Sequence, residues 1–402
     1  MTIRLSGDEL NESSESRYHR QTIIEWWDQE RVRNARILVV GAGALGNEIL
    51  KILSLMGAGF LLVFDMDRIE HSNLSRAVLF RDGDEGEAKA EVAVRRLKEL
   101  NPDVHAEARV QNLVHRAGLG LFAWADVVIA GVDNREARIF INGACANAGR
   151  RWVDGAIEGF SGIVRVFDPK EGACYECTMS ETDRKLVAER RSCALLARDI
   201  VERGHVPTTA VTASLIGALE VQEAIKLLHG QPALVGEGLH IHGLWNETSR
   251  VKYPRRDDCT GHDRLGLLHP LGCGVADVSL GDLLEKAERE LGAGTVLDLS
   301  RDVIVRLECP DCGAAAPGRA VLGELREKDA ACPRCGTHRI VETAASIGRH
   351  GSVDLKSTPA DLGLPPFDII VARKGLDAQR AWLFDGDHKV ALGELAPSWE
   401  GS

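Results

Sequence analysis

The side chains in this sequence that could do chemistry fall into two groups: cysteines at metal-ligand spacing, and charged side chains around a glycine-rich turn. Six of the ten cysteines form three Cys-x-x-Cys pairs. In a reducing compartment such pairs bind metal ions more often than they form disulfides. Each pair is therefore a candidate half of a tetrahedral zinc site.

Two of the pairs, "CPDC" and "CPRC", form one complete ligand set. Cys309 and Cys312 are separated from Cys332 and Cys335 by nineteen residues, a spacing typical of a Cys₄ zinc ribbon. The intervening residues include no aromatic side chain and carry charges of both signs, which argues against nucleic-acid binding. We expect a structural zinc that stabilises a small domain, because four thiolates leave no open position for a substrate.

The glycine-rich turn has the form G-x-G-x-x-G. Gly41, Gly43 and Gly46 follow the apolar stretch "RILVV", and such glycines let the backbone approach a phosphate closely at a helix N-terminus. Asp65 ends the next apolar stretch, 19 residues after Gly46, where a carboxylate can accept hydrogen bonds from ribose hydroxyls. These features alone would fit an NAD-binding enzyme equally well.

The loop after this aspartate, "DMDRIEHSNLSR", favours a triphosphate that is cleaved. It holds a carboxylate, an amide and a cation close together, namely Asp67, Asn73 and Arg76, and Lys89 follows thirteen residues after the arginine. Arg76 and Lys89 could neutralise phosphate charge, while Asp133 in "GVDN" could hold Mg²⁺ through its oxygens. A dinucleotide that is bound whole needs no cation for a leaving group, so the sequence predicts ATP and Mg²⁺.

These residues need a scaffold, and the surrounding pattern predicts a Rossmann-like, doubly wound α/β domain. Strands are expected at "RILVVGAG", "FLLVFD", "VHAEARV" and "DVVIAGVD", with helices over 44–56 and 86–101. The domain continues through "RWVDGAIEG", "GIVRVFDP", a helix over 209–229 and a hairpin near 238–253. We expect a disordered N-terminus over 1–16, this domain over 17–265, and a small α+β domain over 274–402 that carries the zinc ribbon at 309–335.

The net charge and the distribution of apolar residues argue against nucleic-acid binding and membrane association. The formal net charge is −11, so the global balance gives no attraction to nucleic acid or to anionic membranes. No stretch has the about 18 uninterrupted apolar residues of a membrane helix, and the first twenty residues have no apolar signal segment. We expect a cytoplasmic enzyme with neither nucleic acid nor membrane as a partner.

Several spaced motifs together resemble one family. "RYHRQ", "VVGAGALG", "FDMDRIEHSNLSR", "EAK" and "GVDN" occur in this order over roughly residues 17–262. They are similar to the adenylating domain of the ubiquitin-activating-enzyme superfamily, which includes ThiF- and MoeB-type activators of sulfur carriers. The resemblance implies that the chain adenylates the C-terminal carboxylate of a ubiquitin-like protein that ends in glycine. The layout is most similar to that of atypical homodimeric activating enzymes.

The resemblance also implies roles for individual residues. Asp65 would bind ribose, Asp133 would bind Mg²⁺, and three side chains would engage the phosphates, namely Asn73, Arg76 and Lys89. Arg20 matches the second arginine of the family's "RYxRQ", which in homodimers reaches into the partner's ATP site. Ala77 departs from the family, which usually has glutamine there, but the charged groups remain.

The third cysteine pair, "CYEC", is assigned its second half by the same resemblance. The family places another Cys-x-x-Cys after the long helix and hairpin, and "CTGH" stands there in this chain. Cys174, Cys177, Cys259 and His262 would then form a structural Cys₃His zinc site. Cys273 is the rival fourth ligand.

Cys145 and Cys193 remain outside these sets. Cys145 lies among small residues in a predicted helix and is most simply a core residue. Cys193 follows Arg190 and Arg191, which favour its thiolate, and the family has a cysteine at a matching place, which forms the thioester in activators of the ubiquitin-fold modifier. Sulfur-carrier activators often have one there as well, so the motif does not separate the two.

Two features favour a thioester on Cys193, in a catalytic segment over 182–208. The stretch "ALLARDIVERGHV" behind it is longer than the link expected in a sulfur-carrier enzyme. The chain also has no rhodanese-like loop, and "VSLGDLLEKAERELG" weakly resembles the start of a domain that recruits a conjugating enzyme. The alternative is a sulfur-carrier adenylyltransferase without an obligatory thioester. An NAD-binding redox protein or non-catalytic scaffold would leave the phosphate-binding residues unexplained.

Overall fold

The computed structural model describes residues 16–184, 207–325, 327–376 and 378–399, and Cys193 with most of its segment lies outside them, as do residues 1–15. The helices are α1 (His19–Thr22), α2 (Gln29–Arg33), α3 (Ala44–Met56), α4 (Lys89–Leu100), α5 (Leu113–Arg116), α6 (Leu119–Trp124), α7 (Arg135–Ala148), α8 (Ala210–Leu228), α9 (Leu280–Leu291), α10 (Glu327–Ala330) and α11 (His388–Leu392). The strands are β1 (Arg36–Val40), β2 (Phe60–Phe64), β3 (His105–Arg109), β4 (Val127–Ala130), β5 (Arg151–Glu158), β6 (Ser161–Phe167), β7 (Glu237–His242), β8 (Glu247–Lys252), β9 (Leu268–Pro270), β10 (Val296–Glu308), β11 (Ala315–Pro317), β12 (Ile340–Ile347), β13 (Ile369–Lys374) and β14 (Ala378–Leu383).

The first sheet has eight strands in the order β3-β2-β1-β4-β5-β6-β7-β8. The first five strands in this order are parallel, and β6, β7 and β8 continue the sheet as antiparallel strands. The chain winds outward from β1 to β3 and then returns to place β4 on the other side of β1. This confirms the doubly wound α/β fold and puts its switch point between β1 and β4, where such sheets bind ligands.

Both faces of this sheet are buried around β1, β2 and β4, which explains the continuous apolar runs of these three strands. Ile37 and Val39 of β1 pack in one core with residues of α3, α4 and α8. Leu38 and Val40 point to the opposite core with residues of α6 and α7. The alternation along β1 is the period of two that a strand imposes, and it sends successive side chains of β1 to the two opposite cores.

The second sheet has the order β11-β10-β13-β14-β9, and β12 also pairs with β10. It includes β9, which precedes residue 274 and runs parallel to β14. Helix α9 packs Leu280, Leu284 and Ala287 onto this sheet, in a core shared with Trp382, as expected for apolar residues one turn apart. This is the α+β architecture predicted for the C-terminal part of the chain.

The two sheets share a core. Phe367 and Leu383 of the second unit belong to the same buried cluster as Leu38 and Phe122 of the first. Fully burying one side chain of this size contributes roughly 1.5–3 kcal/mol, so the C-terminal unit is held firmly against the first sheet. In the described part of the chain, no helix has the length and apolarity that crossing a membrane requires.

Candidate functional site

The glycine turn between β1 and α3 is closed so tightly that two of its glycines cannot be replaced. A Cβ on Gly46 would lie 1.9 Å from the carbonyl oxygen of Gly41. Gly41 itself has φ +95°, and its Cβ would lie 2.5 Å from the carbonyl oxygen of Gly131. Gly43 is the N-cap of α3, and a Cβ there would have no neighbour within 4 Å. The turn therefore leaves open space in front of the helix N-terminus, where an anion is favoured.

Asp65 ties this turn to the loop after β2. Its carboxylate accepts hydrogen bonds from the backbone N–H of Ala42 at 2.7 Å and of Asp67 at 2.8 Å. Burial raises the pKa of Asp65, and these two N–H donors oppose that rise. Each carboxylate oxygen keeps a further lone pair that a ribose hydroxyl could use.

Lys89 begins α4 and turns toward the same place. Its Nζ lies 3.1 Å from a carboxylate oxygen of Asp67, and its side chain is only 13% exposed. The backbone N–H of Lys89 also donates to the carbonyl of Asp67. Asp67 donates its backbone N–H to Asp65, and Asp65 in turn accepts from Ala42 of the glycine turn. The ammonium group of Lys89 is therefore held near that turn.

Asn73 and Arg76 bond within their own loop. The side-chain oxygen of Asn73 accepts from the backbone N–H of Glu70 at 3.1 Å, and a guanidinium nitrogen of Arg76 donates to the carbonyl of Ser72 at 2.7 Å. Both residues are partly exposed. To engage a phosphate, Arg76 would have to exchange one exposed hydrogen bond for another.

Asn47 is a residue of this site that the sequence reasoning missed. Its amide is fully buried, donates to the carbonyls of Ala42 and Gly43 at 2.7 and 3.1 Å, and accepts from the backbone N–H of Leu79 at 2.8 Å. It thus joins the glycine turn to the loop that carries Arg76. The available signal was a polar amide on an otherwise apolar helix face, one residue after the last glycine of the motif.

Asp133 follows β4 at the same edge of the sheet. Its neighbour Asn134 caps α7 by accepting from the backbone N–H of Ala137 at 2.9 Å, and also donates to Asp133 at 3.3 Å. Gly131, two residues earlier, lies against Gly41 and Gly46. The structure therefore brings the loop of Asp133 beside the glycine turn.

A buried ionic cluster, also missed from the sequence, supports this loop. Arg138 donates to the carbonyls of Val132 and Gly155 at 2.6 and 2.9 Å and to Asp154 at 2.6 Å. Asp154 is fully buried and also accepts from Arg165 at 2.9 Å. The cluster fixes the residue that directly precedes Asp133. The signal was an arginine in the first turn of α7 and an aspartate within an apolar strand.

Arg20 does not join these residues within one chain. The neighbouring Tyr18 packs against Gly57, which ends α3 at the far side from the glycine turn. A helix of 13 residues is about 20 Å long, so an arginine side chain cannot span the distance. The structure therefore places the helix of Arg20 apart from the nucleotide-site residues of its own chain.

The first cysteine cluster contains the four residues Cys174, Cys177, Cys259 and His262, whose ligand atoms all lie within 4.8 Å of one another. Cys174 Sγ lies 3.8 Å from Cys177 Sγ and 3.6 Å from Cys259 Sγ, and His262 Nε2 lies 3.1 Å from Cys177 Sγ. Thiolates bound to one tetrahedral zinc are about 3.8 Å apart. Without a metal, burial raises the pKa of Cys174 to about 12, so this donor set fits a cation that would stabilise the thiolates.

Asn142 of α7 holds this cluster in place, since its side chain accepts from the backbone N–H of Tyr175 at 3.0 Å. Cys273 is in the second unit, where the backbone N–H of Gly386 donates to its carbonyl. It takes no part in the cluster, so the structure favours His262 over this rival. Cys145 is buried in the core of α7.

The second cysteine cluster lies at the end of β10. The sulfur atoms of Cys309 and Cys335 are 3.4 Å apart, and those of Cys312 and Cys332 are 3.6 Å apart. All four sulfur atoms lie within 4.8 Å of one another. Donation from the backbone N–H of Arg334 lowers the pKa of Cys332 to about 6, which favours the thiolate that zinc binds. Both clusters could hold a zinc ion.

Comparison of the sequence with known proteins shows which family it matches. The model of the ThiF family matches residues 18–261. The "Sulfur carrier protein adenylyltransferase" of Thermus thermophilus is 37% identical over 250 residues, which are 60% of this chain and 84% of that protein. The "Ubiquitin-like modifier-activating enzyme 5" of Drosophila grimshawi is 31% identical over 56% of this chain, and the match spans 58% of its length.

A solved structure shares the fold. The crystal structure of Escherichia coli MccB with ATP superposes with a TM-score of 0.53 at 22% identity, over 64% of this chain and 77% of that one.

Proposed function

The chain belongs to the ThiF family, and from this membership and the geometry of the site we propose that it adenylates the C-terminal carboxylate of a small ubiquitin-like or sulfur-carrier protein. One observation carries the proposal. The glycine turn, Asp65, Lys89 and the loop of Asp133 converge at one edge of the sheet, at its switch point. This edge combines a phosphate cradle, a ribose acceptor, a cation and a candidate Mg²⁺ ligand.

In the proposed reaction a carboxylate oxygen of the carrier attacks the α-phosphorus of ATP. The bond from that phosphorus to the bridging oxygen of pyrophosphate breaks, and the products are an acyl-adenylate and pyrophosphate. The chain's own task is to overcome repulsion between a carboxylate and a triphosphate. Lys89 and Arg76 would bind the phosphates with Asn73, and Asp133 would hold Mg²⁺, which supplies further charge neutralisation.

Arg20 gives a reason to propose a homodimer. Its helix lies at the end of α3 opposite the glycine turn, so any contact of Arg20 with phosphate would be made across a dimer interface. Each site would then be complete only in the assembled enzyme.

The two zinc ions would be structural. The whole activity would belong in the cytoplasm, whose reducing conditions suit thiolate ligands.

The finer proposal concerns Cys193. Its thiolate would attack the carbonyl carbon of the acyl-adenylate, AMP would leave, and the resulting thioester would pass to a conjugating enzyme. Asp183 forms an ion pair of 2.9 Å with Arg135, two residues after Asp133, so the segment of Cys193 starts close to the reacting atoms. Cys193 is the tenth residue after Asp183, and ten extended residues span at most about 36 Å.

The second candidate is adenylation of a sulfur carrier without a thioester, in which a sulfur donor attacks the adenylate directly. The match to a sulfur-carrier adenylyltransferase over most of its length favours it. The two candidates share every residue of the nucleotide site and differ only at Cys193.

The test incubates the enzyme with ATP, Mg²⁺ and a candidate carrier, follows pyrophosphate exchange, and resolves the products on non-reducing gels. We expect exchange in the wild type, its loss in Lys89→Ala, and an adduct that DTT cleaves and that disappears in Cys193→Ala. The matched control is Cys273→Ala, which removes a half-buried thiol outside both cysteine clusters. An adduct that survives Cys193→Ala would refute the thioester, and exchange without any adduct would favour the sulfur-carrier reaction.

A further inference from the structure

The C-terminal unit contacts the crossover that leads from β3 to β4, close to the proposed nucleotide site. Arg301 of β10 donates from Nε to the carbonyl of Val114 at 3.2 Å and from a second nitrogen to the carbonyl of Ala117. Val114 is the second residue of α5, and Ala117 is its C-cap. The guanidinium group of Arg301 also lies 5.7 Å from the ring centre of Phe140 on α7. One side chain of the second sheet thus contacts two elements of the first domain.

Arg301 is itself held by a buried acid. Its third nitrogen donates to Asp368 at 2.6 Å, and the Asp368 carboxylate, 1% exposed as a residue, also accepts from Ser300 at 2.6 Å. A guanidinium fixed at several points keeps a single geometry. A second contact is made by Glu324, which binds Arg116 of α5 through two hydrogen bonds of 2.5 and 2.6 Å.

Helix α5 directly follows the loop that would lie beside the base of a bound nucleotide. The phosphates would lie at the glycine turn after β1 and the ribose at Asp65 after β2, so the base continues toward the next strand in the sheet, β3. Residues 110–112 follow β3 at this edge, and the backbone N–H of Asp65 donates to the carbonyl of Arg109 at 3.1 Å. Asn112 then caps α5 by accepting from the backbone N–H of Val114 at 2.9 Å.

We propose that Arg301 and Glu324 are positioning residues for ATP, which hold α5 and thereby keep residues 110–112 as the wall beside the base. The inference rests on the proposed function, since it presumes an ATP site at this edge. It assigns the C-terminal unit a part in nucleotide binding, independent of any partner that this unit recruits.

The test measures ATP binding by calorimetry for Glu324→Gln and for the pair Arg301→Met with Asp368→Asn, which removes both charges and leaves no buried ion without its counterion. We expect ATP affinity to fall about tenfold, as for changes that act through a neighbouring element. Inorganic tripolyphosphate has no base. Its affinity for these variants, measured by competition with an ATP analogue, should therefore stay within about twofold of its affinity for the wild type. Arg349→Met, which removes an exposed ion pair with Glu288 in the same unit, is the control.

Unchanged ATP affinity in both variants would overturn the proposal. An equal loss for ATP and tripolyphosphate would also overturn it, because that pattern means a general loss of structure. Wild-type protein that binds no ATP would refute the proposed function itself, which distinguishes the two failures. Lys89→Met should weaken both ligands and so marks the phosphate side of the site.

Discussion

Asn47→Ala should weaken the nucleotide site although Asn47 itself need not touch the nucleotide. The change removes three hydrogen bonds, to the carbonyls of Ala42 and Gly43 and from the backbone N–H of Leu79. The Leu79 N–H is left buried without its partner, which costs about 1–3 kcal/mol, and the lost carbonyl contacts bring the expected destabilisation to about 2–4 kcal/mol.

Thermal unfolding and the KM for ATP in pyrophosphate exchange check this prediction together. We expect a lower Tm and a several-fold higher KM for ATP, because the glycine turn and the Arg76 loop are no longer joined. Asn147→Ala is the matched control, since its amide donates to Gly143 and accepts from Leu265 away from this edge. It should lower Tm with little change in KM. A KM that stays at the wild-type value in Asn47→Ala would refute the positioning role.

Three further predictions concern the glycine turn, a buried acid and the metal content. Gly46→Ala should unfold or strongly destabilise the first domain, because its Cβ would meet Gly41 at 1.9 Å, whereas Gly43→Ala should keep the Tm of wild type, as judged by calorimetry. Glu220 is fully buried beside Gly155, and burial raises its pKa well above the ordinary value of 4.5. The folded state therefore holds a proton that the unfolded state releases, so stability falls as pH rises above about 4.5. Glu220→Gln should raise Tm at pH 7 by more than at pH 5, and an equal shift at both pH values would contradict this. Metal analysis should find two zinc ions per chain in the wild type and in Cys273→Ala. It should find one zinc ion per chain in Cys309→Ala and one in Cys174→Ala.

Much of the fold could be predicted because the strands of a parallel sheet are buried on both faces. The runs "RILVV" and "FLLVF" became β1 and β2, and the helix expected over 44–56 spans Ala44–Met56. The Gly-x-Gly-x-x-Gly turn and Asp65 were equally accessible, since their roles depend on local geometry and spacing. The same holds for the Cys₄ cluster, whose two pairs stand at zinc-ribbon spacing, whereas Cys259 and His262 of the first cluster were predicted only from the family resemblance.

The unpredicted part depends on contacts between distant segments. Nothing local in the sequence shows that Asn47 meets Leu79, that Arg138 and Arg165 share Asp154, or that Arg301 reaches α5. The side chains involved are polar, so their patterns resemble those of exposed residues. Their burial is decided by the packing of whole elements, which sequence periodicity does not specify.

Carrier-dependent pyrophosphate exchange is the most direct measurement of the central claim. Wild-type enzyme with ATP, Mg²⁺ and a carrier protein that ends in glycine should incorporate labelled pyrophosphate into ATP, and mass spectrometry should find the carrier joined to AMP. Asp133→Ala and Lys89→Ala should lose both signals. Exchange of equal rate in these two variants, or no exchange by the wild type with any such carrier, would contradict the proposed adenylation.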